Sequence, residues 1–289
     1  MKNIDLHMHT SSSDGECTPQ ELIDKSIKSN LSAIAITDHD TISSLKVAID
    51  YAKDKPIEVI PGIEISCYEE ERGYDEVHIL GLFIDYNNKE LIEFTEKIKE
   101  DRINQKKRII KNLQGLGFEI EFKDIEGIMG FSAGRPHIAK TLIKKYPEKF
   151  DSIKEVFDKY ISIGKPAYSD REFKVRIKDA IDIIKKAKGI AFLAHPGYYN
   201  EKDSLELIDI FVSQGGLGIE TIYPYDIVFP NNYDKKKTEN KISFLIEVAK
   251  NKDLMECGGS DFHGKMRYPH IGKIKVDYSI LEKIKKILE

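Results

Sequence analysis

No apolar run in the chain approaches the ~20 residues that a membrane-spanning helix needs, and no charged-then-apolar leader precedes the first apolar segment. Neither a helical membrane span nor a signal peptide is therefore expected. Cysteine is scarce: Cys17, Cys67 and Cys257 form an odd, scattered set, which argues against a disulfide framework and for reduced thiols in the cytoplasm. Charge of one sign is also lacking. With 45 basic and 49 acidic residues the net charge is −4, which argues against a chain built on unspecific nucleic-acid affinity but leaves room for a local basic phosphate site. Internal repeats and low-complexity tracts are absent. What is present suffices for a large fold, since 289 residues with 40% hydrophobic content can bury a substantial core.

The apolar runs alternate with amphipathic stretches. Strands are expected at IDLHMH, LSAIAIT, EVIPGIEIS (58 to 66), EVHILGLFI (76 to 84), GIAFLAHP (189 to 196), LGIETIY (217 to 223) and the run ending in SDFH (260 to 263). Helices fit 19 to 30, the stretch through Ala52, 175 to 188, 204 to 214, 238 to 252 and 278 to 288. Thr18-Pro19-Gln20-Glu21 marks one helix start, with an N-cap, a proline in the first turn and a capping-box glutamate. The alternation predicts a parallel sheet, and about seven strands favour a β/α barrel over a doubly wound sheet. Between about residues 100 and 165 the pattern turns helical and rich in Lys and Glu. The expected division is barrel over 1–99, an inserted helical subdomain over 100–165 that caps the substrate, and barrel again over 166–289.

Chemistry collects where these strands end. His7 and His9 share one face of the first strand, with Ile4, Leu6 and Met8 on the other, so two imidazoles stand ready for one cation. Asp14 follows. His39 lies in TDHD between Asp38 and Asp40, Glu64 in PGIEIS, His78 in EVHILG, His195 before Pro196, and Asp261 and His263 in GGSDFHG. Each alone reads more readily as a hydrogen-bonded polar residue than as a ligand. In a parallel barrel, however, all strand carboxyl ends open on one face, so these nine groups can meet. At roughly three to four protein ligands per open catalytic ion they suit two or three ions, and three is the favoured number. Three divalent ions exceed the charge of Asp14, Glu64 and Asp261, which predicts an anionic ester as guest. Asp38 is expected to orient His39.

The ordered set HMH, Asp14, TDHD, Glu64, EVHILG, AHP and SDFHG resembles the polymerase and histidinol phosphatase (PHP) family of metal-dependent phosphoesterases, over nearly the whole chain. The sequence GRPHIA (134 to 139) is similar to that of the branch acting on nucleoside 3',5'-bisphosphates and on short oligonucleotides from the 5' end. The resemblance implies a distorted seven-stranded α/β barrel, (β/α)7, with a trinuclear centre. It implies that His7, His9, Glu64 and Asp261 hold one ion, that Glu64 bridges to a second held by His78 and His195, and that Asp14, His39 and His263 hold the third. It further implies that Arg135 and His137 contact phosphate, with His137 a possible proton donor to the leaving oxygen, and that Arg102 and His263 also face the substrate. Where related sequences often carry a histidine, this chain has Asp226 in YPYDIVFPNN, so the substrate preference stays open.

The expectation is hydrolysis of a phosphomonoester, or of the terminal phosphodiester of a short oligonucleotide, by a hydroxide bridging two ions. Mn2+ is the expected metal, with Fe2+, Zn2+ and Mg2+ as alternatives. No stable protein partner is expected. Rival readings are a histidinol-phosphate-type phosphatase, a metal-dependent amidohydrolase, which also starts a barrel with H-x-H, and a non-enzymatic metal- or phosphate-binding module.

Overall fold

A computed structural model describes residues 2–126, 135–264 and 271–288. In chain order the elements are β1 (Asn3–Met8), α1 (Pro19–Lys28), β2 (Leu31–Ile36), α2 (Leu45–Ala52), β3 (Glu58–Glu69), β4 (Tyr74–Leu82), α3 (Lys89–Gly115), α4 (Lys123–Glu126), α5 (Arg135–Lys145) and α6 (Ile153–Val156). There follow α7 (Ile177–Lys186), β5 (Ile190–Leu193), α8 (Glu201–Ser213), β6 (Gly218–Ile222), α9 (Tyr225–Val228), α10 (Lys235–Asn251), β7 (Met255–Gly258), β8 (Val276–Asp277) and α11 (Tyr278–Leu288). The predicted cap of α1 is formed: the Thr18 hydroxyl accepts from the Glu21 N–H, and the Glu21 carboxylate accepts from the Thr18 N–H.

The strands form one sheet in the order β7-β6-β5-β4-β3-β2-β1-β8. It is nearly closed into a barrel, because the segment after β7 returns to β1. There the Asp261 N–H donates to the His7 carbonyl at 2.9 Å and the His9 N–H to the Phe262 carbonyl at 3.0 Å. The fold is thus a distorted α/β barrel. A single apolar cluster draws on every strand, from Ile4 and Leu6 through Ala33, Ile60, Leu80, Phe192, Ile222 and Cys257 to Val276.

Two departures from the expected parallel barrel stand out. β4 runs antiparallel to both β3 and β5. Only four residues separate β3 from β4, a single 3₁₀ turn at Glu70–Arg72 ending on Gly73 in the left-handed region (φ 82°); a parallel return needs a crossover of a dozen or more residues. The reversal brings His78, at the middle of β4, beside Ser66 in the second half of β3. The second departure is an eighth strand of two residues, antiparallel to β1.

The chain divides into two compact units, one comprising residues up to Phe94 together with those from Val175 onward, the other Thr95–Lys174. The second has no strand among its described residues. Its core is separate, with Ile109, Ile110 and Leu113 of α3 packed with Phe118, Ile138, Leu142, Phe150 and Ile161. A buried ion pair, Arg171 Nε to Asp101 Oδ2 at 2.6 Å, adds a polar anchor.

Candidate metal centre

Glu64 organises the centre. Its backbone is clamped by the TDHD segment, the Glu64 N–H donating to the Asp38 carbonyl and the Asp40 N–H to the Glu64 carbonyl. Oε2 lies 3.2 Å from His7 Nε2, 3.1 Å from His9 Nε2 and 3.0 Å from His39 Nδ1. Oε1 lies 3.0 Å from His78 Nδ1 and 3.2 Å from His195 Nε2. The two oxygens of one carboxylate therefore serve two separate sets of imidazoles.

Asp261 and Asp14 extend the cluster. Asp261 Oδ1 approaches His7 Nε2 at 3.3 Å and His9 Nε2 at 3.1 Å. Asp14 Oδ1 approaches His263 Nε2 at 3.1 Å and lies 4.0 Å from His39 Nε2. Three groups have ligand atoms within 4.8 Å of one another: His7, His9, Glu64 and Asp261; His9, Asp14, His39 and His263; and His39, Glu64 and His78. All nine histidines and carboxylates expected to meet do so. The first group is fully buried, whereas Asp14, His39, His78 and His195 are partly open.

The donor set fits cations. His7 Nε2, His9 Nε2, His39 Nδ1, His78 Nδ1 and Glu64 Oε2 are sealed from solvent and make no hydrogen bond, despite lying so close together. Buried polar atoms left this way cost about 1–3 kcal/mol each. Lone pairs that converge without bonding one another are what a metal ion satisfies.

Electrostatics points the same way. Burial alone pushes the Glu64 carboxyl up, but His39, His7 and His78 outweigh it and hold it well below the usual carboxylate range. Asp261 is held low against burial by His7, His263 and His9, and Asp14 by hydrogen bonding to His263 and the nearby charge of His39. Against its own burial, His9 is lifted to about 10 by Asp261 and Glu64. His39 is driven down to about 3, first by burial and then by its neighbours His9 and His78. Protons and cations thus compete for the same nitrogens.

Backbone strain accompanies the ligands. His195 (φ 31°) and Asp261 (φ 53°) both adopt left-handed conformations, each costing on the order of 1–3 kcal/mol for a non-glycine residue. Gly259 permits the close approach that builds the site: a Cβ there would stand 2.5 Å from the His7 backbone nitrogen.

Some roles differ from the sequence reading. The Asp38 carboxylate does not reach His39; it accepts from the Thr10 N–H and hydroxyl at 2.7 Å each, and from the hydroxyls of Ser13 and Ser44. It therefore fixes the loop that carries Asp14. Three buried polar residues escaped notice because they sit inside apolar strand runs. Asp5 accepts from the Ser260 N–H at 2.9 Å, Tyr223 donates to Asp261 Oδ2 at 2.8 Å, and Glu220 lies between His7 and His195. Their signal was a lone carboxylate in IDLHMH and another in GIETIY. Arg102 stands on α3 and Arg135 and His137 on α5, all half-buried in the helical unit. Gly134 of GRPHIA lies outside the described residues. Asp226 is half-buried in α9.

A barrel that gathers imidazoles and carboxylates into overlapping cation-binding groups has the donor set of a metal-dependent hydrolase. The PHP domain matches residues 5–193, and the chain belongs to that family. It is 33% identical to a 3',5'-nucleoside bisphosphate phosphatase of Chromobacterium violaceum, over 91% of this chain and 88% of that protein. It is 31% identical to a 5'-3' exoribonuclease of Haemophilus influenzae, over 94% of each. The crystal structure of a Bifidobacterium adolescentis protein, provisionally designated a metal-dependent phosphoesterase, superposes with a TM-score of 0.75 at 25% identity, covering 98% of this chain and 95% of its own.

Proposed function

We propose that this phosphoesterase removes phosphate from nucleoside 3',5'-bisphosphates and nucleotides from the 5' end of short oligonucleotides, using three divalent ions, Mn2+ foremost. The observation that carries the reading is the division of Glu64: one oxygen faces His7, His9 and His39, the other His78 and His195. His7, His9, Glu64 and Asp261 would hold one ion, His78 and His195 with Glu64 a second, and Asp14, His39 and His263 a third. When bound, the ions neutralise phosphate charge and lower the pKa of water toward ~7.

The chain's own residues do the rest. Arg135 offers a guanidinium fork that pairs two phosphate oxygens at once, and His137 and Arg102 add donors for the same anion. His263 faces the reacting phosphoryl group. Asp38 keeps the Asp14 loop in place through Thr10 and Ser13. Three unpaired, buried cysteines support a cytoplasmic setting, and no helix among the described residues is long and apolar enough to cross a membrane.

The test is phosphate release from a nucleoside 3',5'-bisphosphate by the Mn2+-loaded protein, abolished by a chelator and restored by Mn2+. Activity confined to amides, or to histidinol phosphate, overturns the substrate assignment.

A further inference from the structure

Glu220 is a fully buried carboxylate on β6 that belongs to none of the three cation-binding groups. Its Oε1 lies 3.0 Å from His7 Nδ1, and its Oε2 accepts the His195 backbone N–H at 2.7 Å. No Lys or Arg forms an ion pair with it among the described residues. A carboxylate accepts hydrogen bonds and does not donate them, so the contact with Glu220 takes its proton from His7 Nδ1, and Nε2 is the nitrogen that faces Glu64 and Asp261. The other oxygen ties down the N–H of a residue in left-handed backbone (φ 31°).

We propose that Glu220 is a positioning residue for two metal positions at once: it selects the His7 tautomer and anchors the strained turn that presents His195. The inference rests on the metal assignment above and extends it to a residue outside the ligand set. The two oxygens of this one side chain span ligands from the end of β1 and the end of β5. Its reach excludes the third position, since it touches none of Asp14, His39 or His263.

Glu220→Gln tests this, because an amide has one acceptor where two are needed. If its oxygen faces His7, its NH2 opposes the His195 N–H; if reversed, its NH2 meets Nδ1 and favours the wrong tautomer. Metal-stripped wild type and variant are titrated with Mn2+ by calorimetry, with the thermal midpoint of the metal-free proteins followed alongside. The expected result is affinity weakened about 10–100-fold at two positions, with the third and the metal-free midpoint little changed. A purely structural role would lower the midpoint and weaken all three together. Equal affinity at all positions in variant and wild type overturns the proposal while leaving the metal assignment standing; wild type that binds no divalent ion overturns both. Should the variant fail to fold, nitrogen-15 spectra of Zn2+-loaded wild type decide: protonated Nδ1 and metal-facing Nε2 on His7 support the proposal, and the opposite tautomer overturns it.

Discussion

The barrel unit and the helical unit bury opposite kinds of residue. In the barrel, His7, His9, Glu64, Glu220, Asp261 and His263 are all sealed in or nearly so, and several of their atoms make no hydrogen bond. The helical unit hides Ile, Leu and Phe from α3 to α6, and among its described residues the buried charged groups are Asp101 and Arg171, which pair with each other, and Lys106, whose amine burial pushes down to about 8. Isolated buried charge is costly unless paired or bound to metal. An interior that keeps so many ionisable groups focused on one point is organised around cations; an interior of packed hydrocarbon is organised for stability.

Four substitutions test that contrast. Glu64→Ala removes the group shared by five imidazoles and is expected to lower turnover by at least about 10³-fold, worth roughly 4 kcal/mol, with a loss of bound Mn2+ measurable by elemental analysis. Retention of full metal content and rate would falsify its central position. Asp101→Ala strands Arg171 in the helical unit, at an expected cost of about 3–5 kcal/mol in denaturant unfolding, with Mn2+ affinity in the barrel unit preserved. Weakened metal binding there would show that the two interiors are not independent.

The third change concerns pH. Burial pushes the Asp5 carboxyl up from 3.8 to about 6, so the unfolded chain releases this proton first. Stability from this group is present at low pH and declines as pH rises from about 3.8 through about 6, by about 3 kcal/mol in total. Asp5→Asn keeps an oxygen for the Ser260 N–H but carries no charge, so the metal-free variant should lack this decline and be the more stable at pH 7. Identical pH profiles for both proteins would refute the reading. The smallest effect belongs to Arg135→Ala, expected to raise KM about tenfold by loss of a charge-assisted contact without changing metal content; an unaltered KM removes Arg135 from phosphate binding.

Much of this was legible from residue order. The strand runs, the capped start of α1, the helical stretch and the nine clustered side chains follow from periodicity, turn chemistry and motif. The direction of β4 was not, because a parallel barrel was inferred from alternation while the four-residue link to β3 admits only an antiparallel return. Asp38 was misassigned because adjacency in TDHD says nothing of where a carboxylate turns; the hydroxyls of Thr10, Ser13 and Ser44 claim it. Glu220 and Asp5 were hidden in apolar strands, where a single acid looks like an exposed edge residue until its partners are known.

Residue order was enough to gather nine imidazoles and carboxylates into one expected cation-binding cluster and, through the ordered motifs from HMH to SDFHG, to reveal the likeness to the PHP family. Which nitrogen of each imidazole faces the ions, which oxygen of Glu64 serves which set, and which acids stand behind the ligands were decided by the tertiary structure alone. The reason is physical: a strand pattern specifies a face, but a tautomer and a hydrogen bond depend on atoms brought together from more than two hundred residues away, as from His7 to Glu220.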